Sequence, residues 1–400
     1  MNIKKLLVLS LLLAVGIFLK GDSAFAATKT WVGTACTSSS DCDWSTGSNW
    51  QGGSAPTNGD DIVFTASTSV DSVTNQDISS LTVNSITTAG YYDVNDSGSA
   101  VGNVGISVTN GNTLTLAGPV NHTLASSPPT GYAAQEILYL TGNVTLSDDV
   151  TMTNVRLGVT VDGDVITLGG HVLTYTIADT YSGDIINLTP KITGSGTFTV
   201  NMPITTMLYI NNSNDYSGTT NLNSVDYVDS LNGLTTGFGT STINLGANAR
   251  ILFGGDGAIT INNPINITPP AVTGTFLSNQ LEFWGETTTA NYTVPHISLL
   301  GNARMGVNNV GGVVHVNLAG ITTNGHCIQY GDENRDVEYF TNGPAACVVA
   351  VGTQKPKVPD TGFGLLMNNP AVTIGGTFAA AGAIIAISRR LKPATKRSRR

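Results

Sequence analysis

Charged residues are scarce in this chain of 400 residues, at 11% of the total, where soluble proteins carry about 25%. The scarcity is uneven, because three of the 18 Lys and Arg lie in the first 20 residues and seven follow Ser388. The stretch between these ends holds eight basic and 26 acidic residues, a net charge of −18. A nucleic-acid-binding protein is therefore excluded, since phosphate neutralisation needs clustered Lys and Arg on the folded part.

Helical periodicity is also missing between about residues 76 and 325, where Lys, Glu and Gln are scarce. Short segments instead alternate apolar residues with Thr, Asn or Ser at period two, and Gly and Asn fill the gaps. The clearest of these segments are 80–86, 144–146, 173–177, 197–200, 242–245, 259–261 and 314–318. The pattern predicts an all-β protein.

Two all-β architectures remain, stacked sandwich modules and a solenoid. Sandwiches would show linkers about every 100 residues, and the sequence has none there. Closely spaced short strands rich in Thr and Asn favour a parallel β-helix, in which each rung (one turn of the coil) pairs with its neighbours. We expect a right-handed parallel β-helix over 76–325, with an N-terminal cap at 27–75 and a C-terminal cap at 326–350.

The N-terminus has the three parts of a secretory signal peptide. Lys4 and Lys5 precede an apolar run at 6–19, and Ala24 and Ala26 place small residues where signal peptidase reads. The sequence predicts a signal peptide at 1–26, cleaved after Ala26.

The C-terminus predicts a membrane helix. Residues 371–388 form an uncharged segment of 18 residues, enough to cross most of a bilayer, and a basic tail follows at once. Such a tail stays on the cytoplasmic side, so the chain before it is expected outside the cell. The alternative, a buried core helix, does not account for the tail.

A pentapeptide precedes this segment after a short linker at 351–357: Val358, Pro359, Asp360, Thr361 and Gly362. Residues 358–400 resemble the cell-wall sorting signal of sortase substrates, whose usual pattern is Leu-Pro-any-Thr-Gly; Val358 stands in place of Leu. The resemblance implies that a sortase cleaves between Thr361 and Gly362 and transfers the Thr361 acyl group. It implies attachment to peptidoglycan, or retention in the membrane, of a Gram-positive-type envelope.

Two further segments resemble secreted bacterial β-helix proteins. Residues 214–222, 239–249 and 251–253 are similar to the autotransporter-associated β-strand repeat. Trp31, Trp44 and Trp50, followed by 59–64, resemble the opening module of many such proteins. These resemblances imply a β-helix in an extracellular setting and carry no reaction with them.

The four cysteines lie near the two ends of the expected β-helix, Cys36 and Cys42 at one and Cys327 and Cys347 at the other. About a dozen rungs at roughly 4.8 Å each would separate the ends by about 55 Å, far beyond disulfide reach. We therefore expect local pairs, favoured by the oxidising environment outside the cell. The same distance excludes a zinc site built from all four thiolates.

Catalytic patterns are weak. The five histidines lack metal-binding spacing and are read as solvated or capped residues, not catalysts: His122, His171, His296, His315 and His326. Asp162 and Asp164 would share a strand face at a glycosidase-like separation, but Gly163 between them favours a solvated turn. The pair Asp148 and Asp149 is read as a turn in the same way.

Two other groups have a structural and a functional interpretation. Trp31, Trp44 and Trp50 would either stack on sugar rings or plug the apolar core at its N-terminal end, and the plug is favoured. The acidic run 332–336 would either hold calcium or form a solvated loop. No cofactor is predicted.

Two functions remain open. The first is an envelope-anchored adhesin or structural spacer that presents an acidic β-helix to extracellular glycans or to host-cell surfaces. The second is an anchored polysaccharide lyase or glycosidase, which would need a groove with at least three convergent carboxylates and a base. The first is favoured.

Overall fold

The computed structural model of the chain describes residues 26–36, 42–64, 72–89, 104–123, 138–157, 164–177, 185–202, 207–210, 212–230, 237–270, 279–285, 287–308, 312–331 and 336–347. All of them belong to the larger of the two compact units into which the chain divides, Met1–Ala271 with Ser278–Cys347.

The described residues form strands and turns, with two short 3₁₀ helices at Gly47–Asn49 and Val337–Tyr339. The strands of the N-terminal half are β1 (Thr28–Trp31), β2 (Asp60–Phe64), β3 (Ser72–Gln76), β4 (Leu81–Ala89), β5 (Val104–Val108), β6 (Leu114–Leu116), β7 (Val120–Thr123), β8 (Leu138–Thr141), β9 (Asn143–Leu146), β10 (Val150–Thr153), β11 (Val155–Leu157), β12 (Val165–Thr167), β13 (Val172–Thr176), β14 (Ile185–Leu188), β15 (Lys191–Thr193) and β16 (Ser195–Asn201). Those of the C-terminal half are β17 (Met207–Ile210), β18 (Ser217–Ser230), β19 (Thr242–Gly254), β20 (Gly257–Thr260), β21 (Ile265–Ile267), β22 (Leu281–Trp284), β23 (Ala290–Thr293), β24 (Ile297–Leu299), β25 (Ala303–Asn308), β26 (Val314–Asn317), β27 (Ile321–Thr322), β28 (Ile328–Tyr330) and β29 (Phe340–Thr341). The all-β prediction is confirmed, and each of the seven clearest segments lies on a strand or extends at most one residue beyond it.

One continuous stack of parallel strands, called the long face, runs through the described residues. Its order is β1, β2, β4, β7, β10, β13, β16, the first half of β18, the first half of β19, β21, β24 and β27. Successive partners are strands from successive turns of the chain, so the same backbone pairing repeats along the stack. Parallel pairing on the long face thus begins within 27–75, and the parallel strands beyond 325, β28 and β29, belong to other stacks.

Further parallel stacks accompany the long face. They are β4–β6–β9–β12–β15, β3–β5–β8–β11, β14–β17–β18–β19–β22–β25–β28 and β20–β23–β26–β29. The chain visits three stacks per turn from β4 to β15 and again from β19 to β29, whereas from β16 to β18 it alternates between the long face and the stack of β17. This arrangement is consistent with the predicted β-solenoid.

Alternation along each strand builds the core. One inward row of the long face is fully buried over nine strands: Ile86, Val120, Met152, Tyr175, Val200, Leu222, Leu245, Ile267 and Leu299. Burying a side chain of this kind stabilises the fold by roughly 1.5 to 3 kcal/mol relative to exposure. A slip of one residue in register would turn the row to solvent, so the apolar pattern fixes the pairing.

The tryptophans near the N-terminus close this core. Trp31, Trp44 and Trp50 pack on one another and on Phe64, with ring centroids 5.0 to 6.4 Å apart, and all are at least 93% buried. The Trp44 indole donates to the Thr74 hydroxyl at 3.0 Å. Buried rings offer no stacking face to a sugar, so the plug interpretation is confirmed.

Disulfides join the neighbouring cysteines, as the sequence predicts: Cys36 with Cys42 and Cys327 with Cys347. The second pair holds the last described segment against the end of a sheet, because the Cys347 amide donates to the Ile328 carbonyl at 2.9 Å. A terminal rung has a neighbour on one side only and frays first, so a covalent link there has its greatest effect.

Replacing both C-terminal cysteines, Cys327→Ser with Cys347→Ser, should remove about 3 kcal/mol of loop-closure stabilisation and loosen the strands beside Ile328. Hydrogen exchange followed by peptide mapping should show faster exchange over 314–347 and unchanged exchange around Trp44. The matched control is Cys36→Ser with Cys42→Ser, which should affect the N-terminal end alone. Equal exchange of the double variant and the parent over 314–347 would contradict the capping role.

Candidate functional site

The predicted sorting motif, Val358, Pro359, Asp360, Thr361 and Gly362, lies outside the described residues, as do residues 1–25 of the predicted signal peptide at 1–26 and the apolar segment 371–388. Within the described part of the chain, no helix is long and apolar enough to cross a membrane. The geometry available for function is therefore that of the stacked strands.

The outer surface of the long face carries no charged side chain from β4 onward. None of its strands contains Asp, Glu, Lys or Arg from β4 to β27, where β18 is counted to Val225 and β19 to Ala249. One outward row consists of small polar residues in register: Thr151, Thr174, Thr199, Asn221, Asn244, Asn266, Ser298 and Thr322. A neutral polar strip thus crosses a strongly acidic protein.

Four members of this row are hydrogen-bonded in series, and we call them the amide ladder: Thr199, Asn221, Asn244 and Asn266. The Asn266 amide donates to the Asn244 carbonyl oxygen at 2.8 Å, and the Asn244 amide donates to that of Asn221 at 2.9 Å. The Asn221 amide donates at 3.4 Å to the hydroxyl of Thr199, which is only 8% exposed, whereas the three asparagines are half-buried. The bonds run along the stack, so each side chain is oriented by the next.

Buried hydroxyls lie beneath the amide ladder, on the inner side of β18. The Tyr216 hydroxyl bonds the Thr220 hydroxyl at 2.5 Å, and Thr220 bonds the Ser241 hydroxyl at 2.6 Å. Burial raises the pKa of Tyr216 to about 12, so the phenol stays neutral and hydrogen-bonded. This network links adjacent turns of the chain and stiffens the strands that present the ladder.

His122 is buried in the core, where the sequence predicted a solvated or capped residue. It is 2% exposed, and its Nδ1 bonds the Thr88 hydroxyl of the neighbouring strand. Its Nε2 is buried without a hydrogen-bond partner. Burial lowers the pKa of His122 to about 4, because the charged imidazolium would lose its hydration.

The burial of His122 predicts acid sensitivity. The unfolded chain binds a proton near pH 6.5 and the folded chain near pH 4, so stability should fall as the pH drops through that interval, by about 3 kcal/mol in total. His122→Gln should reduce the decrease in thermal midpoint between pH 7 and pH 4, measured by circular dichroism. His296→Gln is the control, since that side chain is exposed. Parallel pH profiles of parent and His122→Gln would refute the assignment.

Asp164 corrects a second sequence-based interpretation. It precedes β12 and is 7% exposed, so it is buried and not part of a solvated turn. Burial raises the pKa of the Asp164 carboxyl, while a hydrogen bond from the Gly142 backbone acts against this. Asp162 and Gly163 lie outside the described residues, so the structure gives no distance between the carboxylates of Asp162 and Asp164.

Asp148 and Asp149 lie in an exposed turn, as predicted, and the fold brings His171 of the next turn beside them. Their ligand atoms lie within 4.8 Å of one another, the one such group among the described residues that could hold a metal ion. Asp149 also accepts the Val172 backbone N–H at 2.9 Å, which gives its carboxylate a structural role.

Two ion pairs join charged groups of different strands or turns. Arg250 donates to Glu282 at 3.0 Å in a half-buried ion pair, and the exposed Lys191 contacts Asp215 at 2.6 Å. The hydrogen bond from Lys191 lowers the pKa of Asp215.

His315 is exposed and His326 is half-buried. In the acidic run 332–336, only Asp336 is described, and it accepts the Val307 backbone N–H at 3.2 Å. The calcium interpretation falls on residues outside the described part and remains a prediction.

Sequence reasoning missed the amide ladder. The signal was present, because ladder members follow one another at 22 or 23 residues, but register is needed to see that they stack.

No protein-family model, curated protein or solved structure matches this chain.

Proposed function

We propose that this chain is an envelope-anchored surface protein of a bacterium with a Gram-positive-type envelope, an adhesin or structural spacer. Its stacked strands form a right-handed β-helix, closed at both ends and held outside the cell. A sortase joins Thr361 to peptidoglycan, or the apolar segment 371–388 retains the chain in the membrane.

The observation that carries this proposal is the order of three parts at the C-terminus: the pentapeptide Val358 to Gly362, the apolar segment and the basic tail. Each part has a physical reason in sorting. Pro359 restricts the backbone to an extended conformation that an enzyme groove can grip, and the tail keeps the C-terminus in the cytoplasm.

The described residues support an extracellular setting in two ways. Two disulfides close short loops, and such bonds persist in oxidising compartments. A high net negative charge with few exposed large apolar side chains also suits a surface protein that must stay soluble.

The N-terminal end supports cleavage after Ala26. Asp60 is 4% exposed, and its carboxylate accepts the Thr57 backbone N–H at 2.8 Å and the Ala27 backbone nitrogen at 3.2 Å. Cleavage would turn that nitrogen into an ammonium group beside a buried carboxylate. The new N-terminus would then be fixed by a charge-assisted hydrogen bond.

N-terminal sequencing of the exported protein should therefore begin at Ala27. In that form, Asp60→Asn should lower the free energy of unfolding by about 1.5 to 3 kcal/mol, the range for a hydrogen bond to a charged group. The control is Asp61→Asn on the same strand, whose partners are side chains near the surface. A sequence that begins downstream of Thr28, or equal stability of both variants, would reject this role of Asp60.

Thr361→Ala should abolish attachment to the wall, because the acyl group that a sortase transfers belongs to Thr361. Cell fractionation should find the parent protein in the wall fraction and the variant in detergent-soluble membranes. Asp360→Ala is the matched control, since the usual pattern accepts any residue there. Equal wall retention of Thr361→Ala and the parent would rule out sortase attachment.

A further inference from the structure

Among the stacks of described strands, the long face has the longest run of strands without a charged residue. The residues between the basic ends carry a net charge of −18, yet no strand of this face from β4 to β27 contributes a charged side chain. Acidic residues lie instead between strands, as Asp148, Asp149 and Asp215 do, or on strands of other stacks, as Glu282 does on β22. A ligand on this face meets hydroxyls and amides.

The amide ladder has unused hydrogen-bonding capacity in a fixed direction. An Asn side chain has two N–H donors and a carbonyl oxygen that accepts twice. In Asn244, one donor serves Asn221 and one acceptor position serves Asn266. One donor and one acceptor position per side chain remain, repeated along the stack.

The order of the ladder lowers the entropic cost of binding. A free Asn side chain loses rotamer freedom when it contacts a ligand, but these side chains are already held by their neighbours. The Thr220 and Ser241 hydroxyls below hold the two central strands together. The surface is therefore preorganised.

One further hydrogen-bonded pair lies beside the ladder. The Asn223 amide donates to the Asn201 carbonyl oxygen at 3.0 Å, at the point where the register between β16 and β18 shifts. Outward side chains on one strand are about 7 Å apart, and strands are about 4.8 Å apart. The ladder, this pair and the other outward hydroxyls form a narrow polar grid.

The repeat favours an extended polymer over a globular partner. Eight strands with on average about two outward positions each present about 500 Å². A stable interface between proteins needs about 800 Å² from each partner, so a second copy of this chain would bind weakly here. A chain of pyranose rings suits the grid, because each hydroxyl both donates and accepts, and a ring in an extended β-1,4-linked chain advances by a length close to the strand spacing.

We propose that the amide ladder binds an extended neutral β-1,4-linked glycan laid along the stack, with about one sugar ring per strand. The inference rests on the proposed adhesin function and names its ligand class and surface. Anionic polymers are disfavoured, because the turns around the face are acidic and the face offers no cation.

Sedimentation with insoluble polysaccharides tests the proposal. The full-length chain in detergent would be incubated with amorphous cellulose, chitin, starch granules and insoluble polygalacturonate, and the free protein measured. The parent should bind cellulose or chitin, and starch and polygalacturonate more weakly. Asn221→Ala with Asn244→Ala should weaken binding at least tenfold.

The control is Asn291→Ala, an exposed outward Asn on β23, away from the long face, which should bind as the parent does. Circular dichroism checks the fold of each variant. If the double variant does not fold, Asn266→Ala decides the question, because it removes only the last donor of the ladder; it should weaken binding by a smaller factor.

Three results would overturn the proposal: a parent that binds neither cellulose nor chitin, equal binding by the ladder variants, or preference for polygalacturonate. A change of oligomeric state in the double variant would assign the face to a second copy and also overturn it. Failure of the adhesin function is separate, since it would appear as equal adhesion of cells with and without this protein, whatever the purified chain binds. Adhesion that depends on Thr361 but not on the ladder would leave the function standing without this ligand.

Discussion

In-register pairing between parallel strands of successive turns is the constraint on which the structure depends. Once Val120 pairs with Ile86 and Met152, the pairing fixes whether each remaining side chain of those strands points inward or outward. The same register that buries the apolar row of the long face also aligns Asn221, Asn244 and Asn266 outside. Core and surface order are therefore two results of one backbone arrangement.

The acidic composition has a consequence for this stacking. Identical charges on adjacent strands would lie about 4.8 Å apart and repel one another, at a cost repeated on every turn. Small neutral side chains avoid the cost, and Asn in register adds hydrogen bonds between strands. The threonines Thr82, Thr115, Thr145, Thr167 and Thr193 form a comparable neutral row on another stack. Charge is tolerated in the turns, where Asp148 and Asp149 reach solvent.

Alternation made the fold predictable from the sequence, and register made the site unpredictable. Strands such as 242–245 could be predicted because their apolar residues recur at period two. The disulfides could be predicted because the cysteine positions allowed only local pairs. The burial of His122 could not be predicted from its polarity. Its inward position on β7 results from the pairing of that strand with β4, where Thr88 is the partner of His122. Asp164 was misread for a similar reason: the glycine before it suggested a turn, and pairing of the adjacent strand buried it. The amide ladder required three residues, each more than 20 positions from the next, to be placed side by side.

The short distance along the chain between paired strands also bears on how the protein folds. Bonded partners on the long face are separated by about one turn, such as 22 residues between Asn244 and Asn266, so loop closure costs little at each step. A chain that emerges N-terminus first can add each turn to an edge that is already formed, with the tryptophan cluster as the starting surface. Both disulfides suit such growth, because Cys36 and Cys42 are six residues apart and Cys327 and Cys347 are 20 apart. The first can close before the stack is long and the second after the last turn is laid down, so synthesis order and assembly order coincide.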